Sequence, residues 1–132
     1  MTEPIAVPIN IFENERELMV VAPMPGVSPE DIEVDVLEDG RMALRAAPRG
    51  EGQDRIAHLV REWAYGPYRR EFELPVPVDG QRANVTLDNG VLTVTLPKAS
   101  ATMATTLRLG RTGHARGVAS GHTGTRGGAA SA

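Results

Sequence analysis

The 132-residue sequence has no cysteine, which excludes disulfides and thiolate chemistry and makes a reducing compartment the default. It has no run of 18 apolar residues, so no membrane-spanning helix is expected. Its first residues, M-T-E-P-I-A-V-P, put no basic region ahead of an apolar stretch. No secretory signal is read there, and a cytoplasmic protein is expected. Histidines number three, too few for most zinc or catalytic designs. His114 and His122 fall in a polar tail, and His58 lies in a polar loop without neighbours at ligand spacing. No glycine-rich loop precedes Lys-Ser or Lys-Thr, so no phosphate cradle is visible. No metal, cofactor or catalytic centre is expected, and the chain is not read as an enzyme.

Acidic residues are also absent from the last quarter. Residues 1–97 carry all 17 acids and 9 of the 14 Lys and Arg, net −8. Residues 98–132 carry the other 5 basic residues, net +5. Five charges spread over 35 residues make a poor electrostatic footprint, so neither nucleic acid nor membrane is expected as a partner. From Gly110 the composition becomes Gly, Ala, Ser and Thr, with too little apolar surface to offset the cost of ordering, so residues 110–132 read as a disordered tail.

Aromatics make up only 4% of the chain, so the core candidates are aliphatic. They alternate with polar residues at period two, the pattern of a half-buried strand. Leu18, Val20 and Ala22 share one face, as do Ile32, Val34 and Val36, and Met42, Leu44 and Ala46. Phe72, Leu74, Val76 and Val78 line a fourth segment broken by Pro75 and Pro77; Val85 and Leu87 line a fifth, and Leu92, Val94 and Leu96 a sixth. Opposite them Glu33, Asp35, Glu71 and Glu73 read as solvated strand faces and not as acid–base pairs. Asp39-Gly40 and Asn89-Gly90 supply the left-handed angles of two-residue type I′ hairpins. Asp79-Gly80 is a third turn signal. The prolines of A-P-M-P-G, residues 22–26, mark a corner between sheets. Ser28-Pro29-Glu30-Asp31 reads as one helical turn with a Ser cap. No segment sustains a 3.6-residue period, so the expected class is all-β, an antiparallel β-sandwich. Residues 48–58 read as an exposed loop, and residues 59–63 as a possible short strand.

Three motifs in order carry a resemblance. R-A-N-V-T-L-D-N-G-V-L-T-V-T-L-P-K, residues 82–98, is similar to the A-x-x-x-n-G-V-L motif of small heat-shock proteins, carried here by Ala83, Asn89, Gly90, Val91 and Leu92. A-P-M-P-G-V-S-P-E-D-I-E-V resembles that family's "LPGV, then EDI" segment, and R-E-W-A-Y-G-P-Y-R-R-E-F-E-L-P its "ER-x-YG-x-F-x-R-x-F-x-LP" segment. The resemblance implies an immunoglobulin-like α-crystallin sandwich over residues 9–98, a short arm over 1–8 and a C-terminal extension over 99–109.

It also implies a homodimer. A strand in the long loop, here about residues 59–63, would cross to a partner's strand at about residues 9–12, satisfying exposed edges. The implied interface is Ile9, Ile11, Leu59, Val60, Arg61 and Trp63, with Arg69 or Arg70 pairing ions across it. The alternatives are a loop that folds back on its own domain, a Trp63 that is an ordinary core residue, and arginines that are solvated surface charges. Leu107-Arg108-Leu109 resembles the family's I-x-I docking motif, which enters an edge groove of a neighbouring subunit. The groove candidates are Val34, Val36, Val85 and Leu87. Ten residues from Pro97 to Leu107 span roughly 33–36 Å when extended, enough to reach another subunit. The arm is shorter than is usual in the family, so a dimer or small assembly is expected more than a large cage. The implied function is an ATP-independent holdase chaperone whose partners are itself and unfolded clients. The alternative is a CS-type co-chaperone module that binds a folded partner.

Overall fold

Period-two alternation along antiparallel strands puts the apolar side chains of paired strands on one face, and two such faces close on each other. The computed structural model describes residues 4–47, 57, 59–60, 62, 67–110 and 113–117. Among these are ten strands: β1 (Ile5–Ala6), β2 (Asn10–Glu13), β3 (Glu17–Pro23), β4 (Ile32–Val36), β5 (Arg41–Ala46), β6 (Tyr68–Glu73), β7 (Asn84–Asp88), β8 (Val91–Pro97), β9 (Thr105–Arg108) and β10 (His114–Arg116). They form two five-stranded sheets, ordered β1-β6-β5-β4-β9 and β10-β7-β8-β3-β2. Every pairing is antiparallel except β1 with β6. The architecture is the all-β sandwich expected.

Register builds the core. Val20 lies opposite Val94 and Ala22 opposite Leu92 in one sheet. Val34 lies opposite Leu44 and Val36 opposite Met42 in the other. All eight are buried, and no polar or charged residue among those described is. Each fully buried aliphatic side chain contributes about 1.5–3 kcal/mol over leaving it in water. The fourth alternating segment divides. β6 stops at Glu73, and Leu74 and Val76 continue against the core without ladder pairing, because Pro75 and Pro77 have no N–H to give. Tyr68 is buried, and its hydroxyl donates to Pro25 O at 2.7 Å, tying β6 to the proline corner.

The turns depart from expectation at two places. Asn89 (φ 53°) and Gly90 (φ 77°) give the left-handed pair that a type I′ hairpin requires. At Asp39-Gly40 only Gly40 is left-handed, at φ 92°. Leu37 N–H donates to Arg41 O at 2.8 Å and Gly40 N–H to Leu37 O at 3.0 Å. The loop therefore holds three residues, and only the last must be left-handed. Pro29–Asp31 is the expected single turn, but Ser28 makes no side-chain cap. Pro29 has no N–H, and Asp31 N–H already donates to the Ser28 carbonyl at 2.9 Å. A second turn, Gly80–Arg82, is capped by Asp79, whose Oδ1 accepts Gln81 N–H at 3.0 Å.

Near both ends of the described residues the chain changes sheets. β1 lies on β6, Val7 is fully buried, and the chain then joins the other sheet as β2 beside β3. At the far side β9 lies on β4, Leu109 is buried at the crossover, and β10 lies on β7. The arm read over residues 1–8 thus includes a strand. So does the stretch read as a disordered tail, at His114–Arg116. That segment buries only Ala115 among its side chains, so it orders mainly through backbone bonds to the free edge of β7, a source of order that apolar composition does not register.

Candidate functional site

The seam between β4 and β7 gathers the residues singled out as a groove. Val34 and Val36 project from β4 and Val85 from β7, all buried, and Leu87 is half-buried against the core. Leu107 lies opposite Val34, and Ala115 opposite Val85. Leu107 is 1% exposed and Leu109 4%. The motif expected to enter a neighbouring subunit fills the seam of its own chain. Val34, Val36 and Val85 are consequently interior and Leu87 half-buried, so the four do not form an open furrow.

The path to β9 explains the difference. Lys98 bridges to Val78 and Met103 to Asp79, so the extension does not run free for ten residues. Met103 N–H donates to Val78 O at 2.9 Å, and Met103 O accepts Gly80 N–H at 2.8 Å. A Cβ at Gly80 would collide with Met103 O, so this close approach requires glycine. Ala83 of the family-like motif is buried and accepts Gly117 N–H through its carbonyl at 2.8 Å. Asn89 and Gly90 make the β7–β8 turn, Val91 is half-exposed at the start of β8, and Leu92 is core.

On the outer face the seam is tied by charge. Arg108 Nε bonds Glu33 Oε2 at 2.6 Å, Arg45 Nε bonds Glu33 Oε1 at 2.7 Å, and Thr106 Oγ1 donates to Asp35 Oδ1 at 2.7 Å. The Arg108 hydrogen bond, with Arg45 adding to it, holds the Glu33 carboxyl below the usual carboxylate range. At the other end of the sheet Arg41 reaches Asp39 at 2.8 Å and Glu71 at 2.6 Å. The Arg41 side-chain bond lowers Asp39, and Asp39 in turn raises Arg41.

The opposite side presents β2. All four of its residues are exposed, Ile11 at 37% and Phe12 at 55%, and no described strand pairs with its outer edge. Ile9 packs partly against the core. Leu59 is 98% exposed and Val60 74%, and neither lies in a strand. The fold does not bring them to Ile9 and Ile11 of the same chain. Arg61 and Trp63, like His58 and His122, lie outside the described residues. The two arginines differ. Arg70 donates to Val7 O at 2.9 Å and sits 6.0 Å from the Phe72 ring centre. Arg69 is exposed and directly opposite Arg45.

Sequence reasoning missed Val7, Met24, Ala115 and Gly117. Val7 stands outside any alternating run, and Met24 stands between two prolines. For Gly113 and Gly117 the only signal is glycine itself. Gly113 is left-handed at φ 76°, and a Cβ at Gly117 would collide with Gly80 O.

Comparison with known proteins follows the same outline. A family model described as Hsp20/alpha crystallin family matches residues 10–108. Spore protein SP21 of Stigmatella aurantiaca is 34% identical over 96 residues, covering 72% of this chain and 57% of that protein. Heat shock protein 16 of Schizosaccharomyces pombe is 28% identical over 93 residues, covering 68% of this chain and 64% of that one. The chain thus spans less than two thirds of either relative. The solved structure of heat shock protein 16.0 from Schizosaccharomyces pombe superposes with a TM-score of 0.65 at 25% identity, covering 75% of this chain and 71% of that one. Among the described residues no helix is long and apolar enough to cross a membrane.

Proposed function

Because the chain belongs to the Hsp20/alpha crystallin family, we propose that it is an ATP-independent holdase that binds unfolding proteins and keeps them from aggregating. A binder of unfolded chains acts by mass action. Whatever occupies the exposed apolar segments and free strand edges of a client competes with the client's self-association. The observation that carries the reading is β2, an edge that joins unpaired backbone to exposed Ile11 and Phe12. Such an edge is an aggregation liability unless another chain covers it. Residues 59–63 of a second copy are the proposed cover in the resting dimer, since Leu59 and Val60 offer exposed apolar side chains without a partner strand of their own. Ile9 would support the junction from within, and Arg69, which has no ion pair among the described residues, would supply one across it.

Heat-induced aggregation of citrate synthase, followed by light scattering without ATP, tests the function. Suppression at a few-fold molar excess is expected, and undiminished scattering at several-fold excess would refute it. The dimer is tested separately with Phe12→Lys. A Lys on an edge strand opposes further pairing, and Phe12 is outside the core. The mass by multi-angle scattering should fall to that of one chain without loss of the folded spectrum. An unchanged mass would remove β2 from the interface.

A further inference from the structure

The two sheets satisfy their arginines differently. On the outer face of the β1-to-β9 sheet, Arg41, Arg45 and Arg108 each reach a carboxylate. On the other sheet the outward positions nearest the β10 edge are His114 and Arg116 on β10, Asn84 and Thr86 on β7, and Thr93 and Thr95 on β8. All six are half-buried and none is acidic. Asn84 lies opposite Arg116 and Thr95, and Thr86 opposite His114 and Thr93, so the six form two adjacent rows. Arg82 is exposed at the end of the turn that leads into β7. Folding thus undoes part of the dilution of charge along the sequence: Arg116, from the acid-free last quarter, joins the strand that Arg82 opens.

Within this face Arg116 stands apart. Its Nε is buried and has no hydrogen-bond partner, and among the described residues its guanidinium has no carboxylate. A donor that water does not reach is costly to leave unpaired, the more so when it is charged. Arg69 also lacks an ion pair, but it is exposed and its donors meet water. The neighbours of Arg116 offer little relief. The carbonyl oxygen of Asn84, directly opposite, is taken by His114 Nε2 at 2.7 Å. That leaves Asn84 its amide group, a donor like Arg116 itself. Asp79, before Arg82, spends Oδ1 on Gln81 N–H at 3.0 Å. Asp88 closes β7 four residues beyond Asn84, about 13 Å along the strand. The edge is rich in donors and short of acceptors.

We propose that Arg116, Arg82 and Asn84 form a site for a phosphate group, free or as a monoester. The Nε–H and one Nη–H of Arg116 take two oxygens side by side, and Arg82 and the Asn84 amide meet the others. A tetrahedral anion offers oxygens to donors on more than one element, whereas a planar carboxylate is used up by the Arg116 fork. The site lies at the edge of the sheet opposite β2, and it stands or falls independently of the holdase reading.

The nitrogen-15-labelled full chain, titrated with sodium phosphate at about pH 7.5 and constant ionic strength, tests it. Saturable shifts are expected at the Arg116 Nε–H and at the backbone amides of Asn84, Thr86 and Ala115, with those of β3 unmoved. A second arm uses phosphoserine, whose monoester is close to doubly charged at that pH. Saturation of these resonances in either arm supports the site, and the tighter arm identifies the source. By calorimetry Arg116→Gln should weaken binding at least tenfold, and Arg116→Lys, which keeps the charge and loses the fork, several-fold. Arg82→Gln, at an exposed position outside the strands, should also weaken it several-fold with β10 in place. No saturable shift in either arm would overturn the site and leave the Arg116 Nε to ordered water. Equal shifts from sodium chloride or sodium acetate would reduce the effect to screening and overturn it too. Binding unchanged in Arg116→Lys and Arg82→Gln alike would take the anion away from these residues.

Discussion

Leu107→Ala tests whether the C-terminal extension belongs to the core of its own chain. Leu107 is 1% exposed, lies opposite Val34, and stands in the same cluster as Val36, Leu44 and Val85. Truncation of a buried leucine costs about 2–5 kcal/mol, less where the surroundings collapse into the space. β9 is an edge strand of four residues, so it is free to settle inward or leave. That places the expected cost at the low end, about 2–3 kcal/mol. For a domain of this size each kcal/mol lowers the melting temperature by about 4–8 °C, so a drop of about 8 °C or more is expected. Urea unfolding distinguishes the two ways of losing it. If β9 still unfolds with the sandwich, the midpoint falls at constant slope; if β9 has already left, the slope falls too, because less surface remains to be exposed. Either result agrees with a seam closed by its own chain. Midpoint, slope and melting temperature all equal to those of the unaltered chain would show that Leu107 is not in this seam, and the account of the extension would fall with it.

Tyr68→Phe keeps the buried ring and removes its donor to Pro25 O. It should cost about 0.5–1.5 kcal/mol by urea unfolding, and no change would mean that the β6-to-corner bond adds nothing. Glu33 is depressed by Arg108 and Arg45, so its contribution is complete above the ordinary value near 4.5 and is lost as pH falls through the lower folded value. The stability gap between the unaltered chain and Glu33→Gln should therefore close on acidification below about pH 4, and a gap constant from pH 6 to pH 2 would contradict the assignment. Arg69→Glu turns a like-charge pair with Arg45 into an opposite one. It should stabilise the isolated domain by about 0.2–1 kcal/mol at low salt, less at high salt, and a loss of stability would place Arg69 in a contact that this face does not show.

Alternation was the readable part of the fold, because a side chain that must point inward every second residue leaves its mark on composition. β3, β4, β5 and β8 carry strict apolar registers and were all legible. β10 was not, since backbone bonds order Ala115 and its neighbours and leave no apolar pattern behind. The Asp39-Gly40 turn shows a related limit: the dipeptide names a left-handed glycine but not the loop length, which Leu37 and Arg41 set by pairing. The groove candidates lie on β4 and β7, with Val34, Val36 and Val85 buried and Leu87 half-buried. Occupancy was beyond reach, because which chain fills a groove depends on the length and pinning of the connection. That was decided by Gly80 admitting Met103 O and by Lys98 bridging to Val78.

The two outer faces explain why the open edge lies where it does. The face of the β1-to-β9 sheet carries Glu33, Asp35, Arg41, Arg45, Arg69, Glu71, Glu73 and Arg108, much of it cross-paired. Such a face stays wet, since desolvating those ions would cost more than burial returns. The other sheet presents Met19 and Val21 on β3 and Thr93 and Thr95 on β8, none charged and all half-exposed, and Phe12 lies opposite Met19. A strand added beyond β2 would extend that face beside Phe12, with Glu13 of β2 and Glu17 of β3 the charges nearest to it. Each other edge is a short terminal strand: β1 of two residues, or β9 and β10 facing each other across the closed seam. The chain places β1 on one edge of the first sheet and β9 and β10 at the seam, and among the described strands β2, beside the less charged surface, keeps its outer edge open.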